Sequence, residues 1–278
     1  MNHPAPDYLI FGHITQDLIE DATRLGGTAF FSSILARRLG LDVALVTSYD
    51  TDLDLEALDG IQIINQIGQG TTTFKNIYRA AGRTQILLDR AESLDPSLIP
   101  DSFRRAKIVH LAPVAREIDL KAGRMFPNSS LAYSLQGLLR DWDDAGLVHP
   151  SPLPVLDQDG PLDGTAFMSL EDLGFDRSGL AAIQGLFPDL ILTTGKKGAE
   201  LYIKNEMKPI PTEPAREVDP TGAGDIFATA FIIAKSILGK SLHDSAHFAN
   251  ALARISITRP GKDGIPTVEE ITEIQRVY

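Results

Sequence analysis

The chain has 278 residues, 43% apolar and 23% charged, which supplies a large core and excludes a disordered or fibrous protein. A formal net charge of −11 argues against nucleic acid or an anionic membrane surface as a partner. The absence of cysteine excludes disulfide frameworks and thiolate metal sites, and no stretch approaches the roughly 20 apolar residues of a membrane span.

The short apolar run at residues 8–12 follows Asp7 and lacks a basic flank, so it predicts a buried first strand rather than a signal peptide, in a cytoplasmic protein. Open α/β sheets bind ligands beyond the carboxyl ends of their strands, which places Asp17 to accept hydrogen bonds from a polyol. An isolated aspartate there is, by loop chemistry alone, more often a turn residue. Gly26-Gly27-Thr28-Ala29 opens a helix with apolar residues at 30, 31, 34, 35 and 39, closed by Leu39-Gly40. The paired glycines admit close approach of a ligand or of a neighbouring strand. The spacer between Asp17 and Gly26 is too short for two strands of about five residues and their turn, so no strand pair is expected there. Residues 43–48 and 61–67 read as main-sheet strands. Residues 71–78 and 84–88, joined through Ala81-Gly82-Arg83, read as a hairpin spanning residues 70–90.

From residue 106 onward strands alternate with helices. Residues 106–111, interrupted by His110, and 130–135 run apolar without alternation, as in a parallel sheet covered on both faces. Gln136 leaves the second strand at the ligand edge. Residues 141–164, rich in proline, aspartate and glycine, predict the longest loop, a solvated excursion. Ser169-Leu170-Glu171-Asp172 follows the next strand. Asp172 can hold a magnesium-bound water, and equally Ser169 can cap a helix turn. Residues 189–195 form a strand that turns at Lys196-Lys197-Gly198 into another.

Glu217-Val218-Asp219-Pro220-Thr221-Gly222-Ala223-Gly224-Asp225 then runs into a stripe that is apolar at 223, 226, 227, 230, 231, 234, 237 and 238. A small-residue loop opens a buried helix. The unpaired N–H groups of such a first turn can approach an anion where Gly222 and Gly224 carry no side chain. Asp225 sits where the helix dipole favours a carboxylate, and it can accept a proton from a hydroxyl held beside that anion. The alternative, a capping acid after a tight turn, stays open on the residues alone.

The string Asp219-Pro220-Thr221-Gly222-Ala223-Gly224-Asp225-Ile226-Phe227 resembles the C-terminal signature of the ribokinase-like (PfkB) carbohydrate kinases, and Gly26-Gly27 resembles their N-terminal double-glycine signature, with Phe31 where relatives usually carry asparagine. The resemblance covers the whole chain and implies one three-layer α/β/α domain over residues 1–278, with a mostly parallel central sheet and the hairpin as a reduced lid. It implies Asp225 as catalytic base and the amides of Gly222, Ala223 and Gly224 as the anion hole. Asp17, Gly26, Gly27, Thr28 and Gln136 would bind the acceptor. Thr194, Gly195 and Gly198, in the stretch beginning at Thr193, would lie along ATP together with Thr221 and Asn250. Ser169 and Asp172 stand where the family has Asn-x-x-Glu and would serve Mg2+ through water. Asp219 and the Gly261–Pro266 loop would help hold a monovalent cation such as K+, as in some relatives.

The resemblance is strongest to the myo-inositol kinase-like branch, which implies γ-phosphate transfer from ATP to a hydroxyl of a sugar or cyclitol by a monomer or homodimer. The alternatives are a nucleoside kinase of the same fold and a non-catalytic nucleotide-binding sensor. A dinucleotide fingerprint is disfavoured, because its third glycine position is Phe227, and no Walker-type G-x-x-x-x-G-K-[ST] exists. The six histidines are read as surface or core residues without ligand-like spacing.

Overall fold

The computed structural model describes residues 4–19, 22–50, 52–68, 70–79, 82–154, 160–204 and 206–278. Its elements in chain order begin with β1 (Tyr8–Phe11), β2 (Thr15–Ile19), β3 (Ala22–Gly26), α1 (Gly27–Arg38), β4 (Val43–Thr47), β5 (Gln62–Asn65), β6 (Thr73–Arg79) and β7 (Gly82–Asp89). The middle of the chain gives β8 (Ile108–Leu111), β9 (Ser130–Ser134), β10 (Arg140–Trp142), β11 (Val148–Pro150), β12 (Thr165–Ser169), α2 (Leu180–Leu186) and β13 (Asp189–Thr193). Then follow β14 (Ala199–Ile203), β15 (Glu206–Ile210), α3 (Ala223–Ser236), α4 (Leu242–Ser256) and α5 (Val268–Val277).

The main sheet has the order β15-β14-β13-β12-β9-β8-β1-β4-β5. It is parallel from β13 to β5, and β14 and β15 extend it antiparallel. Successive residues of β1 face opposite sides, and both sides are covered. Tyr8 and Ile10 pack into a core shared with Phe30 of α1, Phe231 of α3 and Phe248 of α4. Leu9 and Phe11 enter a second core with Phe103, Tyr133 and Ile183 of α2. The sequence therefore reads as three layers because its central strands must be apolar on both faces. His110, the polar break in β8, is fully buried and linked on both ring nitrogens, to the Tyr8 hydroxyl and to Ser134 Oγ, each at 2.8 Å. Burial alone depresses its pKa to about 3, so it is neutral.

The lid departs from expectation. The predicted hairpin is present as β6 and β7, with Ala81 of its turn outside the described residues. The short spacer after Asp17 nevertheless holds two strands, because β2 starts before Asp17 and β3 runs through Gly26. β2 pairs parallel with β6, giving a four-stranded sheet of order β3-β2-β6-β7. Counting only residues between the two motifs hid this, since both motifs lie inside the strands. The excursion after Arg140 likewise contains a small antiparallel ladder, β10 with β11, and an isolated bridge ties Leu147 to Ile86 of the lid.

Candidate active site

The loop before α3 closes on itself. Asp219 accepts Thr221 N–H on Oδ1 at 2.9 Å and Gly261 N–H on Oδ2 at 3.0 Å, bracing it to the segment after α4. Gly222 then takes a left-handed φ of 80° as the N-cap of α3. The amide of Ala223 is spent on Pro220 O at 3.1 Å, whereas those of Gly222 and Gly224 have no protein acceptor among the described residues. Gly224 is exposed with open space about its Cα, so an anion can reach these N–H groups.

Asp225 lies in the first turn of α3, half-buried, and Oδ1 accepts the Thr28 hydroxyl at 2.6 Å. Burial pushes its carboxyl up to about 6, the charges of Asp172 and Asp17 add to the rise, and the Thr28 hydrogen bond and Arg140 oppose it. Four predicted or adjacent site residues from four separate chain segments thus act on one carboxylate.

The two glycines before α1 have different reasons. A Cβ at Gly26 would stand 2.3 Å from Asp17 Oδ2, so a side chain there would push that carboxylate aside. Gly27 has φ 83° and lies close to His13 O. Phe31, on α1, is buried against Gly222 rather than turned towards an acceptor. Gln136 is half-buried, and its neighbour Gly137 is needed where the Pro113 backbone crosses, since a Cβ would meet Pro113 O at 2.3 Å.

Sequence reading missed a polar arm reaching from the lid. Arg140 Nη1 donates to Gln85 Oε1 at 3.1 Å, and Gln85 Nε2 donates to Asn76 Oδ1 at 3.0 Å. The guanidinium of Arg140 also lies 5.6 Å from the Phe74 ring centroid. The signal was present in the alternation of β6, which puts polar Asn76 on the same side as apolar Phe74, where a purely structural strand would place another apolar residue.

After β13, Thr194 closes a tight turn, giving its N–H and its hydroxyl to Gly198 O at 2.8 and 3.1 Å. Gly195 and Gly198 have φ 61° and 93°. Asn250 is turned into the protein, and its Nδ2 donates to Ile210 O at 3.1 Å and Pro211 O at 3.4 Å. It fastens α4 to the end of β15. Ser169 and Asp172 cap one another: Asp172 Oδ2 accepts Ser169 N–H at 2.7 Å and its hydroxyl at 2.8 Å, and Asp172 N–H donates to Ser169 Oγ at 3.1 Å. That leaves Oδ1 of Asp172 to take a metal-bound water. No group of three or more metal-ligating side chains occurs among the described residues. With an amide on each oxygen, the Asp219 carboxylate braces the loop, and a monovalent cation beside it would rely on backbone carbonyls. No helix among the described residues is long and apolar enough to cross a membrane.

Residues 177–268, which contain the Asp219–Phe227 string, match the profile of the pfkB family carbohydrate kinases. The chain is 30% identical to ribokinase from Bacillus subtilis over 134 residues, 46% of this chain and 45% of that one, so this match spans about half of the relative. It is 26% identical to cytidine kinase from Thermococcus kodakarensis over 276 residues, 89% of this chain and 95% of that one. Among solved structures it is similar to a pyrophosphate-dependent kinase of the ribokinase family complexed with a pyrophosphate analogue and myo-inositol, with a TM-score of 0.77. That likeness covers 96% of this chain and 99% of the other at 16% identity, and it establishes the fold. The chain thus has the ribokinase-like fold along its length, and over residues 177–268, which carry the signature loop at the head of α3, it is similar to the pfkB family of carbohydrate kinases.

Proposed function

We propose that the protein transfers the γ-phosphate of ATP to a hydroxyl of a small sugar or cyclitol, with Asp225 as base. The observation that carries this reading is the single carboxylate at the head of α3. It is raised to about 6, held by Thr28, and set beside the Gly222 and Gly224 amides, which have no protein acceptor among the described residues. An acceptor hydroxyl beside Asp225 loses its proton to Oδ2 as its oxygen attacks the γ-phosphorus in line, and the bond to the bridging oxygen of ADP breaks. The amides of Gly222 and Gly224 stabilise charge on the transferred group, an effect of about 3–4 kcal/mol per donor in well-formed anion holes. Asp172 Oδ1 would hold magnesium through water, and the ion would supply charge neutralisation at the phosphates. Asp17, Gly26 and Thr28 position the acceptor, and the four-stranded sheet covers it within the same domain.

A nucleoside acceptor is the second reading, favoured by the cytidine kinase relative matched along almost its full length. The cyclitol reading draws on the structural neighbour that holds myo-inositol. The deciding experiment measures ADP release with Mg2+ and ATP across cyclitols, sugars and nucleosides, with pyrophosphate replacing ATP in a parallel series and with Asp225→Asn throughout. Acceptor-dependent ADP that falls at least about 100-fold in the variant supports the base and names the acceptor class. Phosphate release from pyrophosphate alone would move the donor assignment. Stabilisation by ATP with no acceptor-dependent turnover would replace the kinase with a nucleotide sensor.

A further inference from the structure

Helix α4 begins at Ser241, whose hydroxyl accepts Asp244 N–H, and its first two turns carry His243 and His247 one above the other. Against the expectation that no histidines are spaced as ligands, this i, i+4 pair brings two Nε2 atoms to 3.3 Å, with ring centroids 4.5 Å apart. His243 is exposed and His247 half-buried, so the pair opens to solvent. The ring of Tyr278 lies parallel to His247, 6° off and 6.3 Å between centroids, which fixes the tilt of that imidazole.

We propose that His243 and His247 form a chelating site for a nitrogen-preferring divalent cation of the Zn2+, Ni2+ or Cu2+ class. The bite is the main argument. Two nitrogens at about 2.0–2.1 Å from a tetrahedral zinc stand about 3.3–3.4 Å apart, so the free rings already hold the required separation. The outer sphere is the second argument. Asp244 Oδ1 lies 3.8 Å from Nδ1 of His243, the ring nitrogen that must carry the proton once Nε2 binds metal. In the free protein one Nε2 donates to the other; on binding that proton moves to Nδ1 of the same ring, and both Nε2 lone pairs face the ion. Magnesium and calcium prefer oxygen and are not served by this pair. Two protein ligands leave the remaining positions to water, which makes the site labile. It stands independently of phosphoryl transfer.

Calorimetric titration of the untagged chain with zinc chloride, and separately with magnesium chloride, tests the site on wild type, His243→Ala, His247→Ala and Asp172→Asn. The expected result is one zinc equivalent whose affinity falls at least tenfold in each histidine variant and is unchanged in Asp172→Asn. Both imidazoles are on the surface, so the metal-free variants should melt with wild type. His243→Gln and His247→Gln replace them should either alanine variant fail to fold. Nitrogen-15 shifts of the wild-type imidazoles give an independent reading, in which both Nε2 signals move on zinc addition. The proposal is overturned if wild type binds no zinc, if neither histidine matters, or if only one does.

Discussion

The ring of Phe31 lies against Gly222 so closely that a Cβ there would stand 2.6 Å from Phe31 Cδ1. Phe31 is 2% exposed, and it occupies the position where relatives usually carry asparagine. The first helix therefore supports the loop that opens the third, and the phenylalanine acts through packing. Gly222 is held to glycine twice, by this contact and by its left-handed φ of 80°.

Gly222→Ala should consequently lower kcat at least about 100-fold by displacing the amides, a loss typical of an anion-hole donor. Adding Phe31→Ala makes room for the methyl group but leaves the left-handed backbone, which costs about 1–2 kcal/mol for a residue with a Cβ. The double variant should regain activity only in part. ADP-release assays on the three variants check this, and full activity in Gly222→Ala would show that the close contact does not set the loop.

The acid limb of the activity profile should follow the Asp225 carboxyl, with activity rising as pH passes about 6. The Thr28 hydroxyl holds the carboxylate in its charged form, so Thr28→Val should move the limb upward. Asp17 repels that charge, so Asp17→Asn should move it downward, whatever it does to acceptor KM. Profiles of kcat/KM that shift together in one direction would rule out this pair of assignments.

Stability should carry the same signature. A carboxyl raised from 3.8 to about 6 on folding binds its proton more tightly in the native state, so stability falls as pH rises from about 4 to 6 and is lowest once Asp225 is ionised. The shift bounds the effect near 3 kcal/mol, and solvent contact at a half-buried group reduces it to about 1–2 kcal/mol. Asp225→Asn should therefore be more stable than wild type at pH 8 and the same or less stable at pH 4, measured by urea unfolding.

Much of this arrangement was legible in the sequence because its causes are local. The glycines and Asp225 announce a loop–helix junction by themselves, and the apolar runs of β1 and β4 announce a sheet buried on both faces. What escaped the reading is non-local. The lid strands β2 and β3 include the motif residues Asp17 and Gly26, so a spacing count between motifs could not see them. Asn250 looks like a ligand in sequence, yet it spends its amide on Ile210 and Pro211, and only the packing of α4 on β15 reveals that. Arg140 meets Gln85 across 55 positions of chain, a pairing no local pattern encodes.

The lid is joined to the main sheet through a buried histidine, and this makes a last prediction. His13 sits between β1 and β2, Thr72 immediately before β6, and Ala91 and Glu92 just after β7, so the crossings between the two sheets meet at one ring. His13 Nε2 is 3.0 Å from Glu92 O, which can only accept, so Nε2 carries the proton. Nδ1 must then accept the Thr72 hydroxyl at 2.8 Å, and Thr72 Oγ1 in turn accepts Ala91 N–H at 3.1 Å. Beneath them Glu117, itself buried, accepts the N–H groups of His13, Val114 and Ala115. Burial holds the His13 pKa below the ordinary imidazole value, against the pull of Glu117. A depressed histidine favours the native state above the unfolded pKa of about 6.5 and loses that contribution as pH falls from there through its lower folded value. Thr72→Val leaves Nδ1 and the Ala91 N–H without partners at nearly constant volume, at a cost of about 1–3 kcal/mol. Because the break lies at the hinge and not at Asp225, acceptor KM should rise several-fold more than kcat falls. Amide exchange should quicken in β2 and β6 while β8 and β9 keep wild-type protection. Uniform loss of protection across both sheets would mean that the ring holds the core together and has no special part in seating the lid.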